Sequence, residues 1–229
     1  MFNFLKLKRP RQKEFAVIGL GGFGRSVVHY LTEKGYSVLA LDKDPKQTQS
    51  ISEFCTQAAV VDATREESLQ SLDIASFDTV VVAIDSDFES NLITTTALKA
   101  LGVQHVICKA LTQRQKDILL RMGADRVIMP EADGGRRLGL ELAVPNLLEK
   151  ISFGDSHNVL ELRAPDKMVG KTLRQLRLRN IYGANVVALR HEDQINLSPD
   201  ADQAIEENDI LVLIGPADRI QELIETKNA

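Results

Sequence analysis

Three glycines in the run Gly19-Leu20-Gly21-Gly22-Phe23-Gly24 stand at the spacing of a loop that cradles phosphate groups. Each has its own physical reason. Gly19 permits a tight turn, Gly21 lets the backbone approach a phosphate, and Gly24 lets a following helix lie close on a strand. A helix that opens at such a loop presents unpaired N–H groups and the positive end of its dipole to an anion. The loop alone is a weak signal. Asp42 strengthens it, because it lies 18 residues beyond Gly24, where an acidic side chain accepts hydrogen bonds from a ribose. Together these residues point to adenine-nucleotide binding; the plain alternative is a tight turn and a solvated aspartate. A carboxylate at position 42 would repel a 2′-phosphate, which argues against NADP.

Further residues of chemical type stand nearby in the pattern. Asp62-Ala63-Thr64 is read either as lining the adenine side or as a helix cap. Lys109 is read either as a phosphate partner or as half of a surface ion pair. Asp85 and Asp87 read as caps of the helix that follows them. The histidines His29, His105, His157 and His191 form no catalytic spacing, and neither Cys55 nor Cys108 has a histidine beside it in sequence. No zinc-ligand spacing and no Walker lysine is present. A binding protein rather than an enzyme is therefore expected. An NAD-dependent oxidoreductase and a stand-alone nucleotide or metabolite sensor are the competing readings.

These residues must be positioned by a regular framework, and residues 15–129 supply one. Short apolar strands at Phe15–Ile18, Val38–Leu41, Ala58–Val61, Thr79–Ile84, Val106–Cys108 and Arg126–Met129 alternate with helices. Those helices are Phe23–Lys34, Pro45–Glu53, Arg65–Leu72, Asn91–Leu101 and Gln113–Met122. Alternation of this kind predicts an α/β fold, a parallel sheet covered by helices on both faces. The continuous apolar runs agree with strands buried on both sides. Right-handed crossovers leave few topologies, and six strands in this rhythm suggest the Rossmann-like doubly wound order 3-2-1-4-5-6.

Beyond Met129 the rhythm changes. Arg136–Ile151 reads as helix, broken by Pro145. Asn158–Leu162, Asn185–Leu189 and Ile210–Ile214 read as strands, and Lys171–Leu178 and Ala217–Ile224 as helices. The expected organisation is a basic tail at 1–13, a nucleotide-binding domain at 14–135, a helical connector at 136–154 and a small α+β domain at 155–229. The tail carries Lys6, Lys8, Arg9, Arg11 and Lys13 behind a few apolar residues. It reads as a solvated end, or as a contact with a membrane surface or membrane protein.

Composition narrows the classes. The chain has 229 residues, 44% hydrophobic and 26% charged, which is globular rather than disordered. The net charge of −4 lacks the basic footprint of a nucleic-acid binder. Two cysteines are too few for a disulfide framework. No apolar run reaches the roughly 20 residues that span a bilayer, so a cytoplasmic protein is expected.

The segments FAVIGLGGFGRS, VLALDKDP, VVDATREESL, DTVVVAI, GADRVIMPE, GKTLRQLRLRNIYGANVVAL and NDILVLIGP together resemble the RCK (regulator of K⁺ conductance) family. Within it, the chain is similar to the cytosolic regulatory subunits of Ktr/Trk-type potassium uptake systems, over about residues 14–225. The resemblance implies a Rossmann-like lobe that binds ATP, ADP or NAD(H) without turnover. It implies a small second lobe that helps dimerise and in some members binds cyclic di-AMP, with Leu178–Tyr182 the candidate region. It also implies dimers assembled into an octameric ring against a separate, membrane-embedded K⁺ transporter subunit, at the inner face of the cell membrane. By this likeness Gly19, Gly21 and Gly24 hold phosphates, Asp42 holds the ribose, Asp62, Ala63 and Thr64 line the adenine side, and Lys109 faces phosphates. Leu20, Gly22, Phe23 and Ile84 complete the cofactor-binding set. Glu131 takes the position beside a divalent cation (Mg²⁺ or Ca²⁺) at the ATP γ-phosphate. Close relatives often carry arginine where this chain has Gly22, and some carry glycine at Asp85.

Overall fold

A computed structural model describes residues 13–144, 146–154 and 156–225. The basic tail, apart from Lys13, and the break assigned to Pro145 lie outside the described residues. Two compact units divide between Asp133 and Gly134. Among the described residues no helix is long and apolar enough to cross a membrane.

The first unit runs β1 (Glu14–Ile18), α1 (Gly22–Glu33), β2 (Ser37–Asp42), α2 (Pro45–Ile51), β3 (Gln57–Val60), α3 (Glu66–Ser71), β4 (Thr79–Val82), α4 (Phe88–Ala100), β5 (Val106–Lys109), α5 (Gln113–Arg121) and β6 (Arg126–Ile128). The strands form one sheet in the order β3-β2-β1-β4-β5-β6. Every pairing in it is parallel. This is the doubly wound order expected from the sequence. Strand alternation sends Ala16 and Ile18 into one core and Val17 into another. Leu69 of α3, Leu98 of α4 and Leu119 of α5 cover the first face, while Val28 of α1 and Ile51 of α2 cover the second. Burial on both faces is what makes uninterrupted runs such as Val80-Val81-Val82 favourable in strands.

Two boundaries differ from expectation in ways that matter for the site. β4 stops at Val82, not Ile84, because its parallel partner β1 ends opposite it at Ile18. α4 begins at Phe88, ahead of Asn91, because the Asp87 carboxylate accepts from the Glu89 N–H and caps it. Residues 84–87 thus lie between the end of the sheet and the start of α4, just past the Ala83 N–H bond to the Ile18 carbonyl.

Helix α6 (Pro130–Ala143) leads to β7 (Leu147–Phe153), β8 (His157–Arg163), α7 (Leu173–Leu176), α8 (Leu178–Tyr182), β9 (Asn185–His191), β10 (Gln194–Asn196), β11 (Ile210–Pro216) and α9 (Ala217–Glu225). Their sheet is antiparallel throughout, in the order β10-β9-β11-β8-β7. The expectation of helix across Arg136–Ile151 is corrected here. Its last five residues are strand, with buried Leu147 opposite Leu162 and exposed Ile151 opposite Val159. A short apolar run suits either period, and pairing with β8 decides. The single helix expected at Lys171–Leu178 is two short ones. Thr172 and Gln175 form a reciprocal capping box on α7, and Arg177 in the left-handed region (φ 48°) breaks the helix. The hairpin strand β10 was not anticipated.

A buried carboxylate clamps this second unit. Asp209 accepts from the Glu206 N–H at 2.8 Å and faces His191 Nδ1 at 2.7 Å. The hydrogen bond to Asp209 raises the His191 pKa, with further help from Glu206 and Glu192. A raised native pKa stabilises the fold fully below the unfolded value, about 6.5, and that contribution fades as pH rises through the native value. The melting-temperature advantage of the native protein over His191→Gln should therefore be larger near pH 5.5 than near pH 8.5. An advantage that grows with pH would contradict the assignment.

Candidate functional site

At the carboxyl edge of the parallel sheet the chain leaves β1 toward one face and β4 toward the other. That reversal makes the crevice in which such sheets bind ligands. A cleft of about 350 Å³ lies there, walled by the ends of four strands. Ile18, Gly19 and Gly21 follow β1; Asp42, Lys43, Asp44 and Gln47 follow β2; Val61 to Thr64 follow β3; Ala83 to Ser86 and Ser90 follow β4.

The glycines separate by what surrounds them. Gly19 has φ +93°, and a Cβ there would lie 2.9 Å from the Ala83 and Ile84 backbone. A Cβ on Gly24 would meet the Gly19 carbonyl oxygen at 1.9 Å. Gly21 and Gly22 would meet nothing within 4 Å. Gly21 lines the cleft and has an ordinary φ of −65°, so neither conformation nor packing within the chain requires glycine there. It is also the N-cap of α1, without a capping side chain, and no acidic residue occupies the first turn. The positive end of this helix therefore faces open space.

Asp42 lines the cleft and at the same time holds its floor. Its Oδ2 accepts from the Leu20 N–H at 2.7 Å and its Oδ1 from the Asp44 N–H at 2.9 Å. Asp62 accepts from the Thr64 hydroxyl at 2.7 Å and the Thr64 N–H at 3.1 Å. Those two bonds hold its carboxyl below the usual range. α3 is capped at Arg65, so neither Asp62 nor Thr64 serves as the N-cap; both line the cleft with Ala63.

Asp87 takes the capping role and also binds the Ser90 hydroxyl, which lowers its pKa. Asp85 does not cap. It lines the cleft and meets Lys109 Nζ at 2.6 Å. On its other side Lys109 pairs with Glu131, and the ring of Phe23 lies 5.9 Å away. Only 2% of the Lys109 side chain is exposed, whereas its partners Asp85 and Glu131 are 42% and 57% exposed, so an enclosed ammonium meets carboxylates that face solvent. Burial pushes its pKa down, but the hydrogen bonds to Asp85 and Glu131 outweigh this and raise it.

The structure thus gathers Gly19, Gly21, Asp42, Asp62, Ala63, Thr64 and Ile84 at one cleft. Leu20, Gly22, Phe23 and Gly24 belong to the loop and helix start but not to the lining. Leu20 is fully buried, and Phe23 packs against the core beneath α1. Lys109 and Glu131 stand behind the lining, joined to it through Asp85. Sequence reading missed Lys43, Asp44, Gln47, Ser86 and Ser90. Their shared signal is position, since each follows the carboxyl end of β2 or β4. The described lining contains no histidine or cysteine. His29 lies edge-on to Phe54, and burial pushes the Cys108 thiol up to about 11.

Comparison with known proteins places this geometry in a family. Residues 15–130 match the TrkA-N domain and residues 159–228 the TrkA-C domain. The Ktr system potassium uptake protein C of Bacillus subtilis (strain 168) is 35% identical over 204 residues, covering 89% of this chain and 92% of that protein. The chain belongs to the TrkA-type RCK family of potassium uptake proteins. The RCK domain of GsuK shares its fold at a TM-score of 0.54 and 24% identity over 94% of this chain. The chain spans 46% of that longer one. The NAD(P)-binding domain of an exopolyphosphatase-related protein from Archaeoglobus fulgidus matches 58% of the chain, with 27% identity and a TM-score of 0.51. The fold of the parallel sheet is therefore shared with these structures.

Two of the loop glycines predict costs of very different size. Gly24→Ala forces a methyl into the Gly19 carbonyl and should cost about 3 kcal/mol or more, lowering the melting temperature by roughly 6 °C or more. Gly21→Ala should cost about 1 kcal/mol or less. Thermal melts of the two variants check both.

Proposed function

We propose that the protein is the nucleotide-sensing, gating subunit of a K⁺ uptake system, binding ATP, ADP or NAD(H) without turning them over. The observation that carries this reading is the cleft itself. It joins an uncapped helix start, an unfilled space at Gly21 and a carboxylate at the end of β2. The named potassium uptake relative and the named NAD(P)-binding domain support it.

In this reading the glycine loop receives phosphates, Asp42 receives the ribose and Asp62 to Thr64 border the adenine. Beyond the loop stand two carboxylates, Asp85 and Glu131, against the single ammonium of Lys109. Extra phosphate charge there calls for a divalent cation such as Mg²⁺ or Ca²⁺, which takes hard oxygen ligands. Among the described residues no cluster of three acidic, histidine or cysteine side chains forms a ready metal cage. Asp85 and Glu131 fit as two donors, with the nucleotide completing the shell. ATP and ADP differ at this end, and a ligand shifts a conformational equilibrium only through such differential affinity.

The same reading makes the protein a homo-oligomer, dimers closing into an octameric ring, cytoplasmic and peripheral at the inner membrane face through a separate transporter subunit. A second cleft of about 520 Å³ in the second unit brings Arg174, Arg177 and Arg179 together with Asn180 and Asn185. It includes Leu178 to Asn180 of the region assigned to cyclic di-AMP. Three guanidiniums and two amides suit a ligand with two phosphates and two bases.

Titration with ATP, ADP and NADH tests the first cleft. Asp42→Ala should weaken all three by about tenfold or more, since it removes a charged acceptor; unchanged affinity would sink the assignment. Light scattering should show an assembly larger than a dimer, whereas a stable monomer with and without nucleotide would count against the ring.

A further inference from the structure

β4 and β5 separate just where the cleft begins. Their register runs through Val80↔Val106, Val81↔Ile107 and Val82↔Cys108. Past that point Ile84 enters the cleft wall and Lys109 ends β5. The carbonyls of both residues turn to one side chain, the amide of Asn91 on α4. Its nitrogen donates to Ile84 O at 2.8 Å and to Lys109 O at 3.0 Å, which uses both amide hydrogens. Its oxygen lies 3.3 Å from the Thr95 hydroxyl. Asn91 is 1% exposed and does not line the cleft.

An amide in this place replaces the missing ladder. An apolar side chain would fill the volume but leave two buried carbonyls unpaired, which is costly. The consequence is local. The segments that Asn91 ties together carry Asp85 and Lys109, whose side chains meet at 2.6 Å. Asp42 and Asp62 lie on the other side of β1, after β2 and β3.

We infer that Asn91 is a positioning residue for the phosphate end of the site. It sets how strongly the outer phosphates of a nucleotide are held, without touching the nucleotide, by fixing Asp85 and Lys109 relative to each other. This rests on the nucleotide reading above. Asn91→Asp keeps the shape but turns a double donor into an acceptor facing two carbonyl oxygens. The Ile84–Asp85 segment and Lys109 are then pushed apart, while the Asp42 end is left alone.

The experiment compares AMP with ADP and ATP on the full chain, by calorimetric titration, together with thermal unfolding. AMP occupies the ribose and glycine-loop end; ADP and ATP extend beyond it. Asn91→Asp should weaken ADP and ATP about tenfold or more and leave AMP within about twofold. If that variant does not fold, Asn91→Ala decides. It removes both amide donors without adding charge and should shift the ADP-to-AMP ratio in the same direction. A lower melting temperature with an unchanged ratio makes Asn91 a stabilising residue only and overturns the inference. Parallel loss of AMP and ADP overturns it too. Native protein that binds no nucleotide removes the nucleotide reading, and this one with it.

Discussion

Between Gly19 and Gly24 there is no room for one methyl group. The carbonyl that ends β1 sits directly against the first turn of α1, and Gly19 itself sits against the backbone of Ala83 and Ile84. Three segments therefore converge without side chains between them. β1 is central in the sheet and contributes to both cores, Ala16 and Ile18 on one face and Val17 on the other. Its end cannot move without moving the walls of the cleft. Closely packed interiors transmit such displacement rather than absorb it. Where contact is relieved, at Gly21 and Gly22, the chain leaves space instead of matter.

The charges around that space are held in place by the loops that carry them. Asp42 accepts two backbone N–H groups, Asp62 is bound by Thr64, and Asp87 by its own helix start and Ser90. Hydrogen bonds to ionised carboxylates are stronger and more directional than neutral ones, so these side chains keep a fixed aim. Asp42 shows the economy of this arrangement, since one carboxylate both pins the glycine loop and borders the cleft. At the opposite end Lys109 is shared between two acids, which leaves a negative balance there.

The second unit is built on different terms. Its strands pair antiparallel, and its core is a single cluster that includes Leu160, Leu162, Leu211 and Leu213. Local devices set its turns, notably the capping box of Thr172 and Gln175 and the left-handed Arg177 that separates two short helices. Buried Asp209 joins the Glu206 backbone and His191 across the sheet edge. Arginines gather around the cleft beside α7 and α8, although Arg174 is partly engaged by Asp202 at 2.7 Å.

Much of this was legible in the residues. Apolar runs separated by helical periods carry the strand–helix rhythm, and right-handed crossovers then leave few strand orders. Gly19 and Gly24 are legible because a left-handed turn and a close backbone approach at this spacing admit only glycine. Other features required the folded chain. Leu147–Ile151 is strand because β8 offers it a partner, which no local period reveals. Asp85 faces Lys109 and Glu131 instead of capping α4, and the Asn91 amide meets two carbonyls 7 and 18 residues away. Local sterics and periodicity act over a turn of helix or a pair of strand residues, so the sequence by itself determines them. Which donor meets which acceptor across crossovers depends on where separate strands end, and only the tertiary structure decides that.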